Sequence, residues 1–307
     1  MTIVPPPSGE PPPLTGPRNS GDVWVVAGTG ERYWGRYGAA GLLVHDADRG
    51  VLLQHRVGWS HFGGTWALPG GALHDGESPR DGAIREAQEE AGVPHGSVRA
   101  RFESVLDLEI WSYTTVVADV VVPFEPVISD PESLALEWVP ADEVASRPLH
   151  PGFAEAWPML HALLGVRPVV VVDAANVVGS VPDGWWKDRA GAAARLRDRL
   201  EAWAHAGTPA SKLGLGATRW HPCVVLVVEG EARGIDDVPE TAVGIRRAPG
   251  AGDDEIVRVA EERAAAGDRV LVVTSDRGLS ARIAALSPTG EVETRPVHWM
   301  LDQLGQG

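Results

Sequence analysis

The stretch that most constrains the fold of this 307-residue chain covers residues 71–93 and reads GALHDGESPRDGAIREAQEEAGV. Ser78 followed by Pro79 is typical of a helix start, because the serine hydroxyl caps the first turn and proline lacks the N–H that would be unpaired there. Gly92 gives the matching stop signal. The pattern therefore predicts a helix over residues 79–91.

Three acidic residues of this helix, Glu86, Glu89 and Glu90, fall within one arc of its surface at about 3.6 residues per turn. Like charges at this spacing repel one another unless a cation neutralises them. Mg²⁺ and Mn²⁺ favour hard oxygen ligands and bind substrate phosphates as well. A solvated charged face is the alternative, but a Pro-Gly-Gly loop that ends at Gly71 precedes the helix and favours a metal site.

The full spacing of the stretch is G-x5-E-x7-R-E-x2-E-E-x-G, from Gly71 to Gly92. It resembles the Nudix box, the mark of Mg²⁺-dependent hydrolases that cleave nucleoside diphosphates linked to another moiety. Every fixed position of the box is filled. The resemblance implies an α+β Nudix fold, a mixed sheet sandwiched by helices, over residues 21–164.

The same resemblance implies a role for each fixed position. Three carboxylates and one backbone carbonyl are expected to ligate Mg²⁺ or Mn²⁺, those of Glu86, Glu89, Glu90 and Gly71. Arg85 and Glu77 match the positions that form an orienting ion pair. The implied reaction is attack of a metal-activated water on one phosphorus of a diphosphate.

The general base of this reaction has two candidates. Glu86, inside the box, is one of them. Glu137 is the other, because it precedes a predicted short strand at a place where several relatives carry a catalytic carboxylate. An exposed strand residue with no catalytic role is the alternative interpretation of Glu137.

The segment QHR at residues 54–56, followed by WSHFGGTWALPGG, resembles the nucleoside triphosphate-cleaning branch of the family. Arg56 is therefore predicted to bind a small nucleotide substrate. Trp59 and Tyr113 are predicted to contact the same substrate, because aromatic faces stack on nucleobases. Packing inside the fold is the alternative for both aromatic residues.

The pattern changes after residue 165. Val169–Val172 is a continuous β-branched run, which is typical of a buried parallel strand, and further apolar runs then alternate with helical stretches. This alternation predicts an α/β doubly wound domain over residues 168–304.

Polar residues in this second half mark strand ends and helix starts. Asp173 and Asp276 each follow an apolar run, Asn176 lies three residues after the first of them, and Asp253 and Asp254 open a helix. The carboxyl ends of parallel strands share one edge of a sheet, so these side chains are expected to face one crevice. The three motifs resemble the NYN branch of the PIN-like nucleases, which implies RNA as a partner and acidic residues that hold Mg²⁺.

Composition limits the other function classes. The net charge of −15 argues against a general nucleic-acid-binding surface, because binding to the phosphate backbone depends on Lys and Arg. No apolar run approaches a membrane span, and the single cysteine fits a reducing compartment, so we expect a cytoplasmic protein without a membrane partner. Residues 1–20 are rich in proline and are predicted to form a disordered tail.

These patterns together predict a Nudix phosphohydrolase fused to a PIN-like, metal-dependent ribonuclease. Two other functions remain open at this point. The Nudix domain could act as a nucleotide sensor that regulates the nuclease, or the second domain could be structural and leave the Nudix domain as the only enzyme.

Overall fold

The computed structural model describes residues 20–182, 184–238, 241–286 and 291–305. The predicted tail lies outside the described residues, except for Ser20. The chain forms two compact units. The first contains the described residues up to Leu164 together with Gly216–Arg219, and the second contains the remainder.

Between Ser20 and Leu164, the described part of the first unit has nine strands and two α-helices. The strands are β1 (Trp24–Val26), β2 (Arg32–Trp34), β3 (Ala39–Asp46), β4 (Gly50–Arg56), β5 (Trp66–Ala67), β6 (Gly70–Ala72), β7 (Val98–Asp107), β8 (Ser112–Val120) and β9 (Ser133–Val139). The helices are α1 (Pro79–Ala91) and α2 (Pro151–Leu163).

The strands from β3 to β9 form the mixed sheet that the sequence predicts. Strand β3 pairs in parallel with β8 and antiparallel with β4 and β6, while β4 continues through β5 and β9 and β7 extends from β8. Strands β1 and β2 form a separate two-stranded sheet. This hairpin was not predicted, because each of its strands has only three residues.

The predicted helix over residues 79–91 is confirmed as α1. Ser78 accepts a hydrogen bond from the Asp81 N–H, and Gly92 ends the helix in the left-handed conformation with φ 63°. Three fully buried alanines, Ala83, Ala87 and Ala91, pack against the sheet residues of the core, which include Leu42, Val44, Leu52 and Val116. Their small side chains let the helix backbone approach the sheet closely.

The rest of the chain has seven strands and five α-helices within the described residues. The strands are β10 (Pro168–Asp173), β11 (Thr208–Pro209), β12 (Arg219–Trp220), β13 (Cys223–Val228), β14 (Val243–Arg247), β15 (Arg269–Val273) and β16 (Val292–Arg295). The helices are α3 (Ala174–Gly179), α4 (Arg189–Ala206), α5 (Gly252–Ala265), α6 (Arg277–Ala284) and α7 (Val297–Gln303).

Five of these strands form an all-parallel sheet in the order β14-β13-β10-β15-β16. The prediction of a parallel sheet in the second half is therefore confirmed. The strand order reverses at β10, and such a reversal opens a crevice at the carboxyl ends of the two central strands. Among the described residues, no helix is long and apolar enough to cross a membrane.

Replacement of Gly50 by alanine should destabilise the first unit. Gly50 has φ +94°, and a Cβ at this position would overlap the Val139 carbonyl of β9. We expect a loss of about 1–3 kcal/mol in the free energy of unfolding, measured as a lower urea midpoint. Gly28→Ala is the matched control, because nothing lies within 4 Å of its Cβ position. Equal midpoints for the two variants would contradict this account.

Candidate functional site

Gly71 of β6 and Glu86 of α1 lie directly against each other. A Cβ built on Gly71 would lie 2.7 Å from Glu86 Cδ, so only glycine leaves room for the carboxylate. Burial raises the pKa of Glu86 to about 7, although the Arg85 guanidinium acts in the opposite direction. The carboxylate is therefore packed against main chain and poised to exchange a proton near neutral pH.

Glu90 lies one turn further along α1 and is buried on the same side. Its Oε2 accepts the Gly70 N–H at 3.0 Å and a hydrogen bond from Gln54 Nε2 at 3.3 Å. Burial, together with the charges of Glu86 and Asp130, raises the pKa of Glu90 well above its usual range. A cation beside Glu86 and Glu90 would stabilise their ionised forms.

Arg85 and Glu77 form the ion pair that the resemblance implies. Arg85 Nε donates to Glu77 Oε1 at 2.9 Å, and Nη2 donates to Glu77 Oε2 at 3.0 Å. Nη2 also donates to the Ala72 carbonyl at 3.1 Å, and Nη1 donates to Glu86 Oε1 at 2.7 Å. The hydrogen bonds from Arg85 lower the pKa of Glu77. Arg85 thus joins the loop before α1, strand β6 and the carboxylate of Glu86.

Glu89 lies at the exposed edge of this cluster. Its side chain is 61% exposed, and its Oε2 accepts a hydrogen bond from Arg85 Nη1 at 3.3 Å. Its charge also acts on Glu86. The ligand role of Glu89 stays a prediction.

Glu137 is also not brought to the box carboxylates. In the β4–β9 register, Leu53 faces Glu137 and Gln54 faces Leu136. Successive side chains alternate between the two faces of a strand, so Glu137 leaves the sheet on the face opposite Gln54 and Glu90. There it pairs with Arg147 at 2.9 Å. The structure thus favours the surface interpretation of Glu137 over the catalytic one.

The three predicted substrate contacts lie in different surroundings. The charge of Arg56 acts on both Glu90 and Tyr113, which places these three side chains together. The Tyr113 hydroxyl occupies the position that a Cβ on Gly41 would need, and burial raises the pKa of Tyr113 to about 12. Trp59 is a half-buried residue of the loop after β4, and no contact within the described residues joins it to this group.

The guanidinium of Arg56 is only partly paired among the described residues. Its Nη2 lies 3.7 Å from Glu132 Oε2, which is a long ion pair, and its Nε is buried without a hydrogen-bond acceptor among the described residues. A buried donor without an acceptor costs about 1–3 kcal/mol. A phosphate or carbonyl oxygen of a ligand would remove this cost.

The residues around Gly71 fit a divalent cation. The buried carboxylate of Glu90 accepts the Gly70 N–H, the partly buried carboxylate of Glu86 packs against Gly71, and hard oxygen donors of this kind suit Mg²⁺ or Mn²⁺. Within the described ranges, no three His, Cys, Asp or Glu side chains are already drawn together as a metal site.

The second unit gathers acidic side chains at the carboxyl edge of its sheet. Burial, together with the charges of Asp253 and Glu229, raises the pKa of Asp173. Burial, together with the charges of Asp276 and Glu229, raises the pKa of Asp253. Asp173, Asp253, Asp276 and Glu229 thus influence one another electrostatically at this edge, although within the described residues no three of them are grouped closely enough to form a ready metal site. Asp254 pairs with Arg282 at 2.8 Å.

Two of these acidic residues also cap helices. Asp173 accepts the Asn176 N–H at the start of α3 and a hydrogen bond from Thr274 Oγ1 at 3.0 Å. Asp276 accepts the Leu279 N–H at the start of α6 at 2.7 Å. Asn176 Oδ1 accepts the Ser275 N–H at 3.1 Å and so joins the two loops. These hydrogen bonds are a local structural reason for Asp173, Asn176 and Asp276 at their positions.

Sequence reasoning missed Gln54 and Glu229. Gln54 is fully buried in strand β4 and donates to Glu90 Oε2 and to Ser133 Oγ. Its place directly after the apolar residues 51–53 was the available signal. Glu229 directly follows strand β13, so the rule that selected Asp173 would also have found it.

Comparison with known proteins agrees with the fold of the first unit. A NUDIX domain family model matches residues 35–163. The putative 8-oxo-dGTP diphosphatase 3 of Mycobacterium tuberculosis is 46% identical over 167 residues, which cover 51% of this chain and 76% of that protein. The chain therefore belongs to the Nudix family, and it is a hydrolase that acts on diphosphate bonds.

Two further similarities concern the same half of the chain. A nucleoside triphosphate pyrophosphatase/Nudix hydrolase fusion protein of Bifidobacterium longum is 39% identical over 161 residues, 50% of this chain and 33% of that protein. The crystal structure of the Nudix hydrolase RenU from M. smegmatis has 46% sequence identity, covers 47% of this chain and 94% of that chain, and gives a TM-score of 0.44.

The protonation of Glu86 should be visible in the stability of the protein without metal. Its pKa rises from an ordinary 4.5 to about 7 on folding, so the folded state holds a proton that the unfolded state releases between these values. Stability is therefore fully present below the lower value and is lost as the pH rises through the upper one. We expect the urea midpoint, measured with a chelator, to fall more steeply over this range in the wild type than in Glu86→Gln.

Glu137→Gln is the matched control for this measurement. It removes the same charge from a side chain that is 43% exposed, and it should follow the wild-type curve. Parallel curves for the wild type and Glu86→Gln would contradict the burial of the Glu86 charge.

Proposed function

We propose that the first unit is a Mg²⁺-dependent phosphohydrolase that cleaves a nucleoside triphosphate or related nucleotide. The observation that carries the proposal is the position of two carboxylates against strand β6, where Glu86 packs on Gly71 and Glu90 accepts the Gly70 N–H. The name of the M. tuberculosis relative supports an oxidised guanine nucleotide as the substrate.

Glu86, Glu90 and the Gly71 carbonyl would hold the metal, with Glu89 as a further ligand. The metal would supply positive charge to the phosphoryl oxygens and would activate the attacking water. Gly70 donates to Glu90 Oε2 and fixes that carboxylate. Arg85 and Glu77 hold α1 against β6 and so set the spacing of the ligands.

Glu86 is the general base in this proposal. Arg85 Nη1 holds Glu86 Oε1 at 2.7 Å, so Oε2 takes the proton of the attacking water. Beside a divalent cation the Glu86 carboxylate would be ionised near neutral pH and so able to accept a proton. Arg56 lies close enough to act on Glu90 and binds a phosphate oxygen of the substrate.

Glu86→Gln should lower kcat by roughly 10²–10⁴-fold, which is the usual contribution of a positioned base. Glu137→Gln should retain the wild-type kcat, because that side chain lies on the other face of the sheet and pairs with Arg147. Both variants are compared in Mg²⁺ by phosphate release from a nucleotide panel. A large loss in Glu137→Gln would return the base role to that residue.

The second unit is proposed as a PIN-like, metal-dependent ribonuclease. The supporting observation is the group of Asp173, Asp253, Asp276 and Glu229 at one edge of the sheet, since burial and mutual repulsion raise the pKa values of two of them. Mg²⁺ or Mn²⁺ would be held by these carboxylates. The charge and strand-end position of the group favour this function over a purely structural domain.

Asp173→Asn should abolish cleavage of single-stranded RNA by the full chain in Mn²⁺. Asparagine retains an oxygen that can accept the Asn176 N–H, so the cap of α3 survives while the charge is lost. Asp254→Asn is the control and should cleave normally, because Asp254 faces Arg282. Equal cleavage by Asp173→Asn and the wild type would exclude the nuclease function.

A further inference from the structure

The β1–β2 hairpin lies before residue 35, where the match to the Nudix family model begins. In its register Trp24 is opposite Trp34, and the two rings are 5.1 Å apart. Arg32 lies on the Trp24 ring with its Cζ 4.6 Å from the ring centroid. The hairpin thus adds an aromatic and cationic surface that the shared domain does not include.

This surface continues into the loop after β4. The Trp24 and His61 rings are 5.7 Å apart, His61 and Phe62 are 4.4 Å apart, and Phe62 and His150 are 4.7 Å apart. Phe62 is 46% exposed and has φ +54°. A bulky residue in the left-handed region is strained, and such strain concentrates at ligand-binding sites.

The row of rings contains hydrogen-bond donors without acceptors. Trp24 Nε1 and Arg56 Nε are buried and have no acceptor among the described residues. His150 Nδ1 accepts the Gly152 N–H, so the neutral ring carries its proton on Nε2. Arg32 has no carboxylate within ion-pair distance in the part of the chain that the structure describes. The surface therefore favours a planar ligand that carries several acceptor oxygens.

Arg56 connects the row of rings to the box carboxylates. Its charge acts on Glu90, and it also acts on His61 and His150. Burial, together with the charges of Arg56 and His61, lowers the pKa of His150 to about 4, so its imidazole is neutral near pH 7. A single ligand can therefore place phosphates at Glu86 and Glu90, pass Arg56 and reach the rings with its other end.

We propose that the β1–β2 hairpin forms the outer wall of a nucleobase subsite, with Trp24 and Arg32 as specificity-determining residues that select an oxopurine. The inference rests on the proposed nucleotide hydrolysis and deepens it. The edge of the indole faces the base, and its N–H donates to a base carbonyl. Arg32 holds the outer face of the indole. Adenine offers no carbonyl at the equivalent position, so it leaves the donor unpaired.

The first test compares kcat/KM for dGTP and dATP in Trp24→Phe and in the wild type. Phenylalanine keeps an aromatic face but removes the N–H, so the preference for dGTP should fall by about tenfold, as the loss of one hydrogen bond of roughly 1.4 kcal/mol predicts. Because the ring contact changes equally for both bases, the ratio reports the hydrogen bond. The change should lie in KM, with kcat nearly constant.

Trp138→Phe is the matched control. Trp138 also has a buried indole N–H without an acceptor among the described residues, but it lies under Arg49 in the core. Its substitution should leave the dGTP/dATP ratio unchanged. Arg32→Gln should lower the ratio, whereas Arg36→Gln, which removes a guanidinium from the ring of Tyr37, should not.

Binding of GMP and AMP to the full chain, measured by calorimetry, separates this inference from the proposed function. If the wild type does not hydrolyse nucleotides, the proposed function is wrong. The binding measurements alone then test the nucleobase subsite. Weaker binding of GMP, but not of AMP, in Trp24→Phe supports the subsite. No binding of GMP by the wild type, or equal loss for both nucleotides, overturns it.

Discussion

The close approach of α1 to strand β6 is the constraint on which the catalytic half of this molecule depends. It requires glycine on the strand and alanine on the helix, and it removes the Glu90 carboxylate and most of the Glu86 carboxylate from water. Arg85 joins α1 to β6 through the Ala72 carbonyl and to the preceding loop through Glu77. The Arg85–Glu77 ion pair is partly exposed and stabilises little by itself. Its role is therefore to specify geometry.

The two acidic clusters of the chain are built differently. In the first unit, Glu86 and Glu90 lie in the interior of a helix and satisfy none of the exposed N–H groups of its first turn. In the second unit, Asp173 and Asp276 each cap a helix, so local structure already requires an acceptor at those positions. The carboxylates of the box thus have no local structural explanation. In the second unit, Glu229 and Asp253 lie in other elements, and they are the carboxylates that indicate a site beyond the two helix caps.

Much of the box could be predicted from the sequence because its information is local. The cap at Ser78, the stop at Gly92 and the spacing of the glutamates all lie within one short segment. Glu137 could not be assigned to a face in the same way. Its direction depends on the register of β9 against β4, which includes an irregularity between His55 and Arg56. The β1–β2 hairpin was missed because its strands are too short to show a period.

The main chain of strand β6 limits how substitutions can change the site. At Gly70 and Gly71 the strand has no side chains, and the Gly70 N–H donates directly to the Glu90 carboxylate. Point substitution alters side chains but leaves the N–H of residue 70 in place. The part of the electrostatic field supplied by the main chain is therefore inherited with the fold. Variation in substrate preference must then come from segments outside this strand, where side chains provide the contacts.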